Sequence, residues 1–411
     1  MNKKINLLSC AIVSLAISEV YETHAQEVLP VETKTATTPM EVIKQGLDNG
    51  KFNLDARLRY EYADIGDLNE AHAFTIAARI GYTTGPIYGF KAMLEGEHTS
   101  SILQDSNYSA PGQVVPGKSV IADPEGSEIN RAWLSYDLAD TEFKLGRQRV
   151  VLDNSRFIGN VIWRQAEQTY DAIGFTNKSI EDLSIYYAYF SQINRITYTS
   201  WDSDSHIINL NYKGLPGMQI GAYSYLLQFD SSLANSSDTY GVFIDGSLPS
   251  MDELKLKYRG EFAYQTDGRD SPLDYQANYY HLSLSGAYKN FSAGGGYEVL
   301  ESDGGMNAFR TPLALLHGFN GWADSFLATP NDGLTDAYAF LGYKFGKVPF
   351  KVIYHDFSAE TGGNDYGYEI DAIASYKFHE NWTALVKYAY HDNASNRPDV
   401  ERFWFQFDFH Y

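Results

Sequence analysis

Cysteine is nearly absent from the chain: 411 residues contain one, Cys10. It lies in an apolar stretch near the start, so the chain beyond that stretch has no thiol, no disulfide and no cysteine-based catalysis. Long apolar runs are missing after the first 25 residues. That excludes a bundle of membrane-spanning helices, each of which needs about 20 apolar residues. Basic residues are in deficit, with 32 Lys and Arg against 52 Asp and Glu and a net charge of −20. Such a chain is ill suited to nucleic acid, whose phosphates are neutralised by Lys and Arg. Hydrolase motifs are missing too: there is no G-x-S-x-G elbow and no H-E-x-x-H pair.

What the chain does have begins with Lys3 and Lys4, followed by the apolar stretch Ile5–Ser18 and the small residues Thr23 and Ala25. That order predicts a secretory signal peptide over 1–25, cut after Ala25. Removing it leaves the net charge unchanged, because Lys3 and Lys4 depart with Glu19 and Glu22. Residues 26–50 read as a flexible polar leader in which EVIKQGLDNG forms one helical turn.

From Lys51 onward the recurring pattern has period two, the signature of strands with two unlike faces. In KFNLDARLRYEY, Phe52, Leu54, Ala56, Leu58 and Tyr60 share one face, and Asn53, Asp55, Arg57 and Arg59 the other. About 18 segments of this kind are predicted: near 51–62, 72–82, 87–97, 128–138, 142–150, 168–177, 183–191, 205–213 and 217–229, then 238–246, 254–264, 277–288, 291–299, 335–345, 349–357, 367–377, 381–391 and 402–411. Short connections, such as TTGP at 83–86 and GKVP at 346–349, alternate with long ones, such as 98–127, 151–167 and 300–334.

This alternation predicts an all-β, up-and-down antiparallel barrel over 51–411, with short periplasmic turns and long extracellular loops. The expected location is the bacterial outer membrane. The 32 tyrosines suit two aromatic girdles. The chain ends on RFWFQFDFHY, in which Phe403, Phe405, Phe407, Phe409 and Tyr411 alternate with polar residues and Trp404. A soluble sheet would bury such a face, whereas a closed barrel turns it to lipid. The same ending resembles the signal read by the barrel-assembly machinery. The expected partners are therefore that machinery, outer-membrane lipid and lipopolysaccharide, with no nucleic acid.

Three stretches resemble the alginate-export family of outer-membrane proteins: Gly146–Ile173, Leu315–Tyr338 and Tyr354–Asp371. The resemblance implies a large monomeric barrel, commonly of 18 strands, that passes a hydrophilic solute. It does not by itself name the cargo.

The alternation places Arg57, Arg59, Arg131, Lys255, Lys257 and Arg259 on inward faces, among acids that include Glu61, Glu95, Glu261, Glu298 and Asp408. Arg147 and Arg149 share a face with the lipid-facing Phe143 and Leu145. A charge at mid-bilayer costs about 2–4 kcal/mol. A bulge after Gly146 is therefore expected to turn both arginines to the channel, where they form a constriction with Arg156 and Arg164 suited to acidic sugars or carboxylates. Loop 300–334 is unusually apolar for a solvated loop, and with Phe319, Trp322 and Asp324 it is read as a gate folded into the barrel mouth or packed on its inner wall. The adjacent pairs His355-Asp356 and His391-Asp392 are expected at the outer rim. Asp202 and Asp204 read as a solvated loop. No catalytic residue, metal or cofactor is expected. The function predicted is a channel for small hydrophilic solutes, with anionic sugars or oligosaccharides favoured. The competing class is a non-conducting barrel that serves as an enzyme or adhesin.

Overall fold

The computed structural model describes residues 38–102, 107–249, 253–394 and 397–411. The signal peptide and most of the leader lie outside the described residues. Two compact units divide the chain. Of the first, which ends at Ile43, the structure describes only the residues from Thr38. They open a helix, α1 (Pro39–Asp48), which is ten residues long rather than one turn. The sequence explains its start. Thr38 and Glu41 form a capping box, the Thr38 amide donating to Glu41 Oε2 (2.7 Å) and the Glu41 amide to Thr38 Oγ1 (3.3 Å). Pro39 occupies the first helical position, where no amide hydrogen is needed.

The second unit, Lys44–Tyr411, holds the barrel. Its strands are β1 (Lys51–Ile65), β2 (Ala71–Thr83), β3 (Phe90–Ser101), β4 (Gly126–Leu138), β5 (Thr141–Gln148), β6 (Thr169–Asn177), β7 (Leu183–Asn194), β8 (Ser200–Leu215) and β9 (Met218–Leu227). There follow β10 (Ser237–Ser247), β11 (Leu254–Asp267), β12 (Gln276–Tyr288), β13 (Phe291–Leu300), β16 (Leu334–Phe345), β17 (Val348–Ser358), β18 (Asp365–Lys377), β19 (Trp382–Asp392) and β20 (Val400–His410). A two-residue hairpin, β14 (Ser302–Asp303) and β15 (Asn307–Ala308), stands apart in a loop. All 18 expected strands form, and each pairs antiparallel with its sequence neighbours. The last pairs with the first from Asp55↔His410 to Ile65↔Val400, so the sheet closes with no free edge.

The outer surface is apolar along its middle, with Leu134, Leu145, Ile173, Leu284 and Leu341 all exposed. Exposed rings flank this belt. Phe90, Phe143, Tyr288, Phe291 and Trp382 stand near the short turns, and Tyr240, Tyr264, Tyr280 and Tyr354 near the long loops. A closed, hydrogen-bonded sheet is the only way for β-structure to cross lipid. In the final strand the alternation holds: Phe405 is 40% exposed, whereas Trp404 is fully buried inside.

Candidate functional site: a lumen filled by three loops

The inward faces carry most of the barrel's buried charge, and the loops after β3, β5 and β13 fold onto them. The loop between β5 and β6 and the loop between β13 and β16 meet edge to edge. Gly159 N donates to Leu313 O (2.8 Å) and Leu315 N to Ser155 O (2.9 Å). A plug against a polar wall must offer a partner for each wall group, because unpaired buried polar atoms are costly. That explains the run Arg164, Gln165, Glu167, Gln168, all buried in a loop where solvent was the simple expectation.

The anchor points are ion pairs. Arg164 Nη1 lies 3.1 Å from Glu61 Oε2 on β1, and its Nη2 donates to Asp324 (2.5 Å) in the other loop. Burial works against its charge, but Glu61, Asp324 and Asp123 outweigh burial and push its pKa above the ordinary arginine value. Burial alone would raise the Asp324 pKa. His317 and Arg164 beside it instead hold this carboxyl well below the usual range. Arg156 donates to Glu298 Oε1 on β13 (2.8 Å) and to Asn320 (3.0 Å). Arg149 grips Glu167 with two bonds, 2.7 and 2.8 Å. Despite burial, those bonds lower the Glu167 pKa to about 2.

A second cluster surrounds Lys387 on β19. Its Nζ lies 3.7 Å from the Trp322 ring centre and 4.1 Å from that of Trp163, and it donates to His317 Nε2 (2.6 Å). His317 stacks on Trp163 at 4.5 Å and lies 2.7 Å from Asp324 through Nδ1. Burial and Lys387 push the His317 pKa well below its ordinary value. The ring is therefore neutral, with Nδ1–H donating to Asp324 and Nε2 accepting from Lys387.

The sequence-predicted residues divide accordingly. Arg59 is fully buried; it donates to Gln406 and to the carbonyl of Trp163, and Arg57 donates to the carbonyls of Ile162, Trp163 and Arg164 (3.0 Å each). Arg131 pairs with Glu95, and Arg259 with Glu261. These inner-wall cations hold loops or neutralise neighbours. Lys255 and Lys257 share the Arg259 face, are exposed, and have no ion-pair partner among the described residues.

Four expectations are corrected. Asp202 and Asp204 lie on strand β8 rather than in a loop, and Asp202 pairs with Gln192 in the ladder. The β4–β5 register runs unbroken from Leu138↔Thr141 to Ala132↔Arg147, so no bulge follows Gly146. Arg147 therefore stays on the outer face with Leu145, Ile129 and Ile173, and is neutralised there by Asp171 (2.8 and 3.1 Å). Arg147, Arg149, Arg156 and Arg164 thus do not form one constriction: the first is outside, and Arg156 and Arg164 are at most 4% exposed and paired. The histidines stand towards the long-loop ends of β17 and β19, but they are buried there rather than solvated at the rim. His355 is buried against Asp336 (2.9 Å) and Asp371 (3.6 Å), and His391 is bonded to Ser325 and the Tyr366 carbonyl (2.9 Å each).

Loop 301–333 does fold inside. Phe319 lies under Arg156 (4.8 Å), Trp322 N donates to Asp371 (3.2 Å), and Ala323 N donates to Glu369 (2.7 Å). Trp163, His317, Lys387 and Glu369 belong to this site but stood out in no motif. Only their inward parity, for the two wall residues, pointed to them. Open space persists on one side, where Lys144, Arg149, Asp153, Tyr186 and Asn209 help line a cavity of about 320 Å³.

No family model matches the chain, and no curated protein matches it. Solved structures do. OccAB2 of Acinetobacter baumannii superposes with a TM-score of 0.71 at 15% identity, over 89% of this chain and 99% of that one. OccK9 (OpdG) of Pseudomonas aeruginosa gives 0.70 at 15% identity, over 89% and 100%. OpdK of the same organism, solved with vanillate, gives 0.68 at 13%, over 89% and 99%. At such identity the likeness is one of fold. Together with the lipid-facing belt and the closed sheet, it places the chain in a bacterial outer membrane.

Proposed function

We propose that the chain is a diffusion channel for small hydrophilic solutes, with acidic sugars and other carboxylates preferred. One observation carries the preference. Lys255, Lys257, Lys344, Lys351 and Lys377 lie on inward faces near the short turns, and none has an ion-pair partner among the described residues. Most arginines deeper in the lumen are neutralised by carboxylates, which leaves these lysines among the cations free to act on a passing ion. Cationic linings favour anions. The structural neighbour solved with vanillate is in keeping with a cargo of this size and charge. The resemblance to the alginate-export family adds acidic sugars to the class. The stretches 146–173 and 315–338 that carry it contain the two loops that interlock in the lumen. The chain works as a monomer, since one barrel encloses the whole path, and lipid, lipopolysaccharide and the assembly machinery are its partners.

Reversal potentials in a salt gradient test the preference. The parent should favour anions, and replacing the five lysines by glutamine should remove most of that bias. Cation preference in the parent would refute it.

A further inference from the structure

Strands β3 and β4 place two carboxylates face to face. Glu97 and Glu128 are register partners on the inward face, a position where like charges repel. Arg79 donates to Glu97 Oε2, and Arg147 Nη1 lies 3.8 Å from Glu128 Oε2. The remaining oxygens, Glu97 Oε1 and Glu128 Oε1, are buried with no hydrogen-bond partner among the described residues. Two positions along β3, Thr99 is 0% exposed and its hydroxyl is unpartnered too. Opposite Thr99 stands Gly126, and the Tyr198 ring from the β7–β8 loop fills the space where a side chain would be. Tyr198 adopts φ +57° there, a conformation unusual for a bulky residue. Its phenol lies beside the Thr99 hydroxyl, each the other's nearest polar partner, and faces Glu97 and Glu128; neither hydroxyl completes a hydrogen bond of normal length and angle. On the inward face the surrounding charges do not cancel: Glu95, Glu97, Glu128 and Glu167 stand against Arg79, Arg131 and Arg149, an excess of one negative charge, and Arg147 reaches Glu128 only at 3.8 Å from the outer side.

We propose that these four oxygens form a site for a hard divalent cation of the calcium type. The carboxylates of Glu97 and Glu128 and the hydroxyls of Thr99 and Tyr198 are the ligands, and water completes the six to eight oxygens such an ion takes. No three His, Cys, Asp or Glu side chains converge as metal ligands among the described residues. The site rests on two carboxylates and two neutral oxygens, a set that suits calcium and not a transition metal. Its position gives it a structural role. β5 and β6 have eight and nine residues, against 12 or 13 in β3, β4 and β7. Beyond the ends of the short strands the rim is bridged by Tyr198 instead of by a backbone ladder. A cation there ties the β7–β8 loop to β3 and β4. It also offsets the repulsion between the glutamates.

The test uses the purified full chain in detergent and does not depend on conduction. Terbium luminescence excited through tyrosine should appear saturably and be chased by calcium. Calcium should also raise the temperature at which the folded band is lost. Glu128→Gln and Thr99→Val should each weaken terbium binding at least about tenfold, which is about 1.4 kcal/mol. Thr99→Val changes no charge, so its effect separates ligation from relief of repulsion. Equal binding in both variants, or no response of the parent to either ion, would overturn the site. So would a Glu128→Gln protein that is stabilised with a parent indifferent to calcium, since the glutamates would then share a proton.

Discussion

Asp324 accepts hydrogen bonds from Arg164 and from His317, and so joins the two interlocked loops through one carboxylate. Arg164 in turn neutralises Glu61 and lies 3.7 Å from Asp123. Removing one member of a buried ionic group leaves the others uncompensated, at a cost of about 3–5 kcal/mol. Arg164→Ala should therefore lower stability to urea by that order, whereas Lys255→Ala, at an exposed and unpaired position, should change it little. Glu167 supplies a pH dependence. Its folded pKa is lowered to about 2, so its contribution is present above the unfolded value near 4.3 and is lost as pH falls towards 2. Melting curves should show an acid-sensitive step of about 3 kcal/mol in that window, and Glu167→Gln should remove it. A parent whose stability is flat from pH 5 to pH 2 would contradict this.

Among the elements, β20 has the clearest task. It pairs with β19 on one side and β1 on the other, and Tyr411 N returns to Leu54 O (2.9 Å). A chain truncated before Val400 would expose two open edges in lipid, and it should yield no heat-modifiable band on electrophoresis. Deleting 312–326 should have the opposite character: the barrel persists and conductance rises severalfold, because that segment fills lumen without belonging to the sheet. A deletion that leaves conductance unchanged would show that the loop does not narrow the path. The strands were legible because period two is imposed on every one of them by lipid outside and a polar lumen inside. Loop 300–334 was legible as an inward one through its apolar residues; the loops after β3 and β5 were not, since burial in a polar lumen selects Arg, Gln and Glu, the same residues a solvated loop carries. Arg147 misled because its partner Asp171 stands on β6, distant in sequence but adjacent in the ladder. The helix at Pro39–Asp48 was signalled by Thr38 and Glu41, a capping pair hidden in a polar stretch.

For the whole molecule, a net charge of −20 coexists with a lumen in which buried charges are largely paired and the exposed lysines stand near the short turns. The acidic excess belongs to the loops and rims, so it governs solubility and approach more than passage. Eighteen strands enclose more space than wall side chains can fill. Three loops occupy part of it, and a cavity lined by Lys144 and Arg149 remains. Conduction requires that a path is left open past those loops. Single-channel recording of the folded protein in planar bilayers tests this most directly. Discrete openings are expected in the parent, with larger steps once 312–326 is removed. A parent that inserts and shows the heat-modifiable band of a folded barrel, yet never passes current, would contradict it.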